Sequence, residues 1–460
     1  MMNDIFWRGR FSVSFSLFLL GCFQISFGQN VVVQQPTFGV SVDAQGVLTS
    51  KAFPGGRDLI LQRVAAANAN LGGDLVKPSK LRYVSLKRLD AAIQARTAAG
   101  EQPTAAMMQL AGLIRVEYVF AFPDEKDIVI AGPAEGWIQS PAGHIVGIQS
   151  GLPTLHLEDL TTALHVFTAD RPANQWVGCS IGPGPGAMQK LQAFNRTIPR
   201  TIRQGEEEAH AQRILQGTIE SLGMASVVTF GIDSDTHIGK RMIEADYRMK
   251  AIGIGAEPAP IKMKTFYSQI KAPPKSIMQR WWLVPDYERI GISADRLSAK
   301  LVGAGVKLLT ENYQRDGKGG MKKSNQKPSA ASRAYSESFT RNFEKIAQMS
   351  SSFGQLRNGI DLLVVAAFLR SEKLYEKTGF DPKWIHNEKI DYQMGARIKN
   401  APCLIHSKWN GRRFFTLAGG GVSIVPGDSL KKENLQKIPP ADFINNEPLA
   451  KDVESWWWDR

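Results

Sequence analysis

The strongest constraint on the fold is an alternation of helical and strand-like segments between residues 157 and 252. Helical segments, in which apolar residues recur every three or four positions, lie at 157–166, 187–198, 206–222 and 236–252. Apolar runs typical of buried strands lie at 176–181 and 226–232. Strands that alternate with helices pack as a sheet covered by helices. This central segment is therefore predicted to have an α/β-like arrangement.

The flanking sequence is richer in β-hairpin patterns. Near the start, apolar residues alternate on both sides of a turn at 43–46, and near the end a hairpin is predicted within 403–425. Another hairpin pattern joins 116–122 to 128–131. Since 43% of the residues are hydrophobic, the chain can build a substantial core. We predict an α+β fold, with helices packed on a mixed sheet and β-hairpins near both ends.

The length of 460 residues suggests more than one domain. We expect a signal peptide at 1–28, an α/β-type N-terminal region at 29–275 and an α+β C-terminal region at 276–460. Within the last region, 314–337 is polar, basic and rich in Gly and Ser, so it can bury little apolar surface. This segment is predicted to be a mobile surface loop.

The first 28 residues have the pattern of a secretory signal peptide. Arg8 and Arg10 precede an apolar run at 11–20, and a small-residue cleavage site ends at Gly28. The apolar run is shorter than the roughly 20 residues of a spanning helix. The run at 360–369 is equally short and is flanked by arginines, so a buried core helix is predicted there. The protein is expected to be exported, to the periplasm, the cell envelope or the extracellular space.

The three cysteines carry two further expectations. The sequence Leu-Leu-Gly-Cys ending at Cys22 resembles a lipoprotein box, in which Cys22 would be lipidated and would hold the protein on a membrane. In the alternative, Cys22 is an apolar leader residue, and cleavage after Gly28 releases the protein. An oxidising compartment can join the other two, Cys179 and Cys403, as a disulfide. Two separate buried thiols are the alternative.

The charge of the chain bears on its partners. Lys and Arg number 56 against 43 Asp and Glu. Removal of 1–28, with two arginines and one aspartate, lowers the formal charge only from +13 to +12. Such a dilute excess indicates a mild preference for anions and argues against a nucleic-acid-binding stripe. The expected partner is an anionic envelope polymer or another envelope protein, and membrane contact is expected only through an N-terminal lipid.

Four phrases form a specific signature: RVEYVFAFPDEKDIVIAGPAEG at 115–136, ADYRMKAIGIG at 245–255, RWWLVPDYER at 280–289 and GGGVSI at 419–424. Together they resemble an uncharacterised family of exported, planctomycete-type bacterial proteins, a domain family of unknown function. The resemblance covers most of residues 55–425. It implies export and a shared fold, and it implies no catalytic residue.

One short motif resembles a catalytic one. Gly178 to Gly182 match G-x-S-x-G, the nucleophile elbow of α/β-hydrolases, with Ser180 at the nucleophile position. In such an elbow a helix starts directly after the serine, and its N–H groups bind the oxyanion. Here Pro183 and Pro185 remove two of those donors. The Gly-Pro-Gly-Pro-Gly run at 182–186 is predicted to be a rigid loop between a strand and a helix, and neither a nucleophile nor a phosphate cradle is predicted here.

The candidate polar cluster is Asp233, Asp235 and His237, which follows a predicted strand and precedes a predicted helix. Ligands of α/β folds bind at such positions, and two carboxylates with an imidazole can hold a divalent metal. The alternative is that Ser234 or Asp235 caps the helix that begins near Thr236. The motifs of known metal and cofactor sites are incomplete here, so neither a bound metal nor a cofactor is predicted.

Two tryptophan clusters suggest a contact surface, Trp281-Trp282 and Trp456-Trp457-Trp458. Neighbouring residues on a strand point to opposite faces, so at least one ring of each cluster is expected to lie near the surface or to cover another element. Such rings can contact a sugar, a partner protein or a membrane interface. The alternative for the C-terminal trio is a tail that docks on the body by its aromatic rings.

Two classes of function remain. The first is a non-catalytic exported protein that binds or organises a component of the cell envelope, and the failure of every catalytic motif to complete itself favours it. The second is a metal-dependent hydrolase that acts on an envelope polymer or phosphoester through Asp233, Asp235 and His237.

Overall fold

The structure is a computed structural model. It describes residues 37–53, 57–168, 175–199, 201, 203–272, 274, 277–315, 320–325, 327–387, 396–409, 413–439, 443 and 455–460. The predicted signal peptide and Cys22 lie outside these residues.

The strands are, in chain order, β1 Thr37–Val42, β2 Leu48–Phe53, β3 Ser79–Ser85, β4 Tyr118–Phe122, β5 Asp127–Ala134, β6 Trp137–Gln139, β7 Ile145–Gly147, β8 Val177–Pro183, β9 Met224–Phe230, β10 Met278–Asp286, β11 Arg289–Ile292, β12 Ser298–Val302, β13 Gly305–Leu309, β14 Tyr313–Arg315, β15 Met321–Lys323, β16 Asn400–Pro402, β17 Ile405–Trp409, β18 Arg413–Ile424, β19 Leu435–Lys437 and β20 Trp457–Asp459.

The helices are α1 Arg57–Asn70, α2 Gly73–Val76, α3 Leu86–Ala98, α4 Ala105–Met108, α5 Leu157–Val166, α6 Ala187–Thr197, α7 Glu207–Leu222, α8 His237–Ile254, α9 Phe266–Gln269, α10 Ala330–Arg341, α11 Phe343–Met349, α12 Ser351–Ser371, α13 Leu374–Thr378, α14 Lys383–Asn387 and α15 Pro426–Ser429, with a 3-10 turn at Leu110–Gly112.

Two seven-stranded sheets organise these elements. The first has the order β13-β10-β18-β8-β9-β16, with β17 paired to β18, and the second has the order β19-β11-β12-β4-β5-β3-β20. Each contains one parallel pair, β10 with β18 and β11 with β19, among antiparallel neighbours. Three two-stranded sheets accompany them, β1-β2, β6-β7 and β14-β15. The predicted α+β fold with mixed sheets is confirmed.

Two long helices lie at the centre of the core. The helix α8 packs against β8 and β18 of the first sheet and against α12, and its residues from 242 to 254 are all buried. Residues 351–369 of α12 are buried as well, so the core helix predicted at 360–369 is confirmed. Of the helices that the structure describes, none combines the length and apolarity that a bilayer span requires.

The two regions predicted on either side of residue 276 are interleaved in space. The first sheet places β10, β13 and β18 beside β8 and β9, and the second places β11 and β12 beside β4. The contacts of Val32–Arg460 form one unit. Strand pairing therefore crosses the predicted boundary in both sheets.

The segment 314–337 was predicted to be a surface loop, and the structure corrects most of that prediction. Here β14 pairs with β15, and α10 begins at Ala330, behind an N-cap at Ser329. Tyr335 of α10 is fully buried, and its hydroxyl donates to the carbonyl oxygen of Met249 at 2.6 Å. Composition misled because two aromatic side chains of this otherwise polar helix, Tyr335 and Phe339, are fully buried. Residues 316–319 and 326 lie outside the described part of the chain.

Candidate functional site

The loop from β9 to α8 carries the predicted polar cluster, and Thr236 is the residue that caps the helix. Its hydroxyl accepts a hydrogen bond from the backbone N–H of Gly239 at 3.1 Å and donates to the carbonyl oxygen of Asp233 at 2.7 Å. Threonine is a common N-cap because its side chain satisfies an N–H group that the first helical turn leaves unpaired. The predicted cap, Ser234 or Asp235, is therefore off by one or two residues.

The two aspartates of the cluster turn towards the surface. Asp235 accepts a hydrogen bond from Nε of Arg397 at 3.0 Å, and Nη2 of Arg397 lies 3.5 Å from Asp233. The arginine is about half exposed and Asp233 more so. These are surface ion pairs that link the β9–α8 loop to the segment before β16.

The imidazole of His237 turns inward, towards α5. Its Nδ1 lies 2.9 Å from both carboxylate oxygens of Asp159, and Nε of Arg241 donates to its Nε2 at 3.3 Å. Since Arg241 can only donate, Nε2 must be the acceptor, and the ring proton of the neutral imidazole resides on Nδ1. Burial lowers the pKa of His237 well below its usual value, with the charge of Arg241 the next cause. This histidine is neutral, and both of its nitrogens are occupied.

The first turn of α5 supplies carboxylates to the start of α8. Glu158 accepts the backbone N–H of His237 at 2.6 Å, and Asp159 accepts that of Ile238. Carboxylates stabilise helix N-termini because unpaired N–H groups concentrate positive charge there. Burial raises the pKa of Glu158 to about 7 and that of Asp159 to about 6. The two acids cap α8 from a neighbouring helix.

Two further histidines extend this network. The ring of His156 lies 4.2 Å from that of His237 between centroids, tilted by 31°, and its pKa falls to about 3, first because it is buried and next because of the adjacent imidazole. On the next turn of α8, Arg241 donates to Glu244, which lies 3.5 Å from Nε2 of His144. Burial alone would raise the pKa of Glu244, but His144 and Arg241 lower it below its usual range.

Together these contacts show that the predicted triad does not converge. The two aspartates contact Arg397 at the surface, whereas His237 contacts α5 in the interior. Within the residues that the structure describes, no group of three or more His, Cys, Asp or Glu side chains is placed to hold a metal ion. The arrangement that the structure does form anchors α8 by hydrogen bonds and charge.

Ser180, the candidate nucleophile, is part of a regular strand. It lies within β8, which runs on to Pro183, and pairs with both β9 and β18. Its hydroxyl donates to the carbonyl oxygen of Gly420 at 3.0 Å. A nucleophile elbow requires a sharp turn at the serine, so the geometry at Ser180 differs from that of an α/β-hydrolase elbow.

The buried Lys250 of α8 is a residue that the sequence analysis missed. Its ammonium contacts Asp246 at 2.7 Å and the carbonyl oxygens of Ile181 and Gly420 at 3.0 and 3.2 Å. A fully buried lysine is rare unless it is paired. Its four-residue spacing from Asp246 on one helix was the available signal. Lys250 ties α8 to both β8 and β18.

The cysteines do not form the predicted disulfide. Cys179 lies in β8 with its side chain buried, and Cys403 lies just after β16 with its side chain partly buried; both are thiols. Burial raises the pKa of the Cys403 thiol. The alternative of two separate thiols is the one that the structure supports.

The prediction of an aromatic surface at Trp281 and Trp282 is wrong. Trp281 is fully buried and Trp282 is only 8% exposed. The indole N–H of Trp281 donates to Ser332 of α10 at 3.0 Å. The side chains alternate between the two faces of β10 as expected, but both faces are covered at this point.

The C-terminal tryptophans dock on the second sheet. The strand β20 pairs with β3, the ring of Trp458 stacks on Tyr83 with 5.5 Å between centroids, and that of Trp457 lies 4.7 Å from the guanidinium of Arg82. All three rings remain partly exposed. The structure therefore agrees with a docked tail.

Comparison with known proteins adds one finding. Residues 179–266 match a family described as a protein of unknown function (DUF1598). The match spans β8 to the start of α9, so it contains Ser180, the β9–α8 loop and all of α8. Of the four signature phrases, only 245–255 lies within it. No curated protein matches the chain, and no solved structure does.

Proposed function

We propose that this protein is an exported, non-catalytic component of the cell envelope that binds an envelope polymer or another envelope protein. The observation that carries the proposal is that the candidate reactive side chains within residues 179–266 are engaged in hydrogen bonds inside the fold. His237 and Lys250 direct their polar atoms to side-chain and backbone partners that hold α8 in place, and the Ser180 hydroxyl donates across the sheet from β8 to β18. An acid–base or nucleophilic catalyst needs a group that can reach a substrate.

The pattern of residues 1–28 supports export, and the excess of 13 positive charges supports an attraction to anionic surroundings. The resemblance to exported bacterial proteins points the same way. Fractionation of cells that express the full chain, with mass spectrometry of the mature N-terminus, tests this part. Export predicts loss of Met1 and recovery outside the cytoplasm. Intact Met1 on protein from the cytoplasm would refute the proposal.

The absence of catalysis is tested by metal analysis of the purified protein. We expect no stoichiometric metal, and we expect the double variant Asp233→Ala/Asp235→Ala to lose only the ion pairs with Arg397. Asp74→Ala is a matched control, because Asp74 also forms an exposed ion pair, with Lys77 at 2.9 Å. Bound metal that disappears in the double variant but not in Asp74→Ala would favour the hydrolase instead.

A further inference from the structure

A cavity of about 310 Å³ lies at the carboxyl ends of the parallel neighbours β10 and β18, beside α15. Its walls come from the strands β10, β13, β14, β15 and β18 and from α15. The volume falls at the lower end of the roughly 300–1,000 Å³ of small-molecule sites. The cavity shares no residue with the network at α5 and α8.

The charges around this cavity are paired. Nζ of Lys307 lies 2.7 Å from Oδ1 of Asp286, and the two side chains are 40% and 35% exposed. Asp428 forms a second pair, with Lys431 at 2.8 Å. Such pairs present donors and acceptors side by side without a net charge. They suit an uncharged ligand with many hydroxyl groups better than they suit a polyanion.

Two tyrosines add aromatic surface to the lining, Tyr287 and Tyr313. The hydroxyl of Tyr287 donates to buried Asp361 at 2.7 Å, and Arg115 holds that carboxylate from the other side at 2.8 Å. Burial raises the pKa of Tyr287 well above its usual value, so the hydroxyl keeps its proton. With the hydroxyl anchored in this way, the ring of Tyr287 has a fixed orientation at the cavity wall.

We propose that this cavity binds a neutral sugar unit of an envelope glycan, an inference that rests on the proposed binding function and identifies its site and ligand class. Aromatic rings pack against the C–H faces of sugars, while carboxylate, ammonium and amide groups bind the hydroxyls. Asn434 also lines the cavity, and its Nδ2 donates to the backbone of Asp428 at 2.8 Å, which leaves its side-chain oxygen as a further acceptor.

Binding calorimetry tests the inference, on protein expressed from the full-length chain and processed by the cell. The probes are soluble neutral oligosaccharides of glucose and of N-acetylglucosamine, with polygalacturonate as the anionic probe. The variants are Tyr313→Ala and Lys307→Gln. Lys77→Gln is the matched control, since Lys77 also forms an ion pair, at 2.9 Å to Asp74, and neither residue lines the cavity. Thermal unfolding of each variant verifies that it is folded.

We expect a neutral oligosaccharide to bind, with the Kd at least tenfold weaker in both cavity variants and unchanged in Lys77→Gln. Equal affinity in all variants would overturn the cavity as the site while leaving a glycan-binding function in place. Binding of polygalacturonate alone would overturn the neutral ligand class. Binding of no glycan at millimolar concentration would overturn the inference entirely, and the proposed envelope role would then depend on the fractionation result.

Discussion

The contact between the C-terminal strand and the second sheet allows a sharp prediction, because it places a charge in the interior. Arg82 of β3 is fully buried. It forms a two-point contact with Asp459 of β20, with Nε–Oδ1 at 2.6 Å and Nη2–Oδ2 at 2.8 Å. Its other N–H groups donate to backbone carbonyls, the shortest bond being 2.6 Å to Ala111. Without Asp459, the guanidinium keeps its hydrogen bonds to carbonyls but loses its counter-charge.

Substitution of Asp459 by Asn removes this counter-charge while preserving the shape of the side chain. Loss of one partner of a fully buried ion pair costs about 3–5 kcal/mol. Asp459 is 33% exposed, and the carbonyls remain as acceptors, so water and backbone screen part of that loss. We therefore expect the free energy of unfolding to fall by about 2 kcal/mol.

Urea unfolding followed by the fluorescence of the tryptophans measures the effect, and hydrogen exchange of the β3 amides localises it. The control is Asp428→Asn, whose ion pair with Lys431 is about half exposed on both sides. Such a surface pair contributes less than about 1 kcal/mol. If Asp459→Asn destabilises the protein no more than Asp428→Asn, and the β3 amides exchange as before, then β20 is not held by Arg82 and the reasoning fails.

Three further predictions concern the rest of the core. Gly420→Ala should prevent correct folding, since the residue has a φ of +111° and an added Cβ would lie 1.8 Å from a carbonyl oxygen of β10. The control is Gly143→Ala, at a φ of +85° with open space around it, which should fold with a Tm only slightly lowered. Because the folded state raises the pKa of Glu158 from 4.5 to about 7, this residue's contribution to stability is present at low pH and is lost as the pH rises towards 7. Glu158→Gln should therefore gain stability relative to the natural protein between pH 5 and 8 in parallel melting curves, and a constant difference would contradict this. Under native conditions a maleimide should modify Cys403 slowly and Cys179 only after unfolding, and equal rates would show that the core around β8 is open.

Much of the local structure is readable from the sequence. The hairpin of β4 and β5 follows from alternating apolar residues around a polar turn, and α8 follows from its period of three and four with a capping residue near the predicted start. The residues that form the turn of a hairpin or the cap of a helix lie within a few positions of each other in the sequence. The end of α4 shows the limit of such patterns, since the helix stops at Met108 and Ala111 adopts a left-handed φ of 55°.

The candidate site was predicted less well. Asp233, Asp235 and His237 are close in sequence, and this closeness suggested that they form one site. The cap at Thr236 instead separates them, because the aspartates precede the helix and remain at the surface while the histidine enters it and turns inward. Only the position of α5 shows that His237 bonds to Asp159.

Patterns in the sequence were enough to predict the class of the fold, the alternation of helices and strands in the central segment and the presence of a buried core helix. Each of these depends on patterns that repeat over a few residues. Which polar groups meet became visible only in the folded chain, since His237 and Asp159 are 78 residues apart and Arg82 and Asp459 are 377 apart. The direction of a side chain depends on the elements that pack against it. The hydrophobic period of one segment does not identify those elements, because they are distant in the sequence.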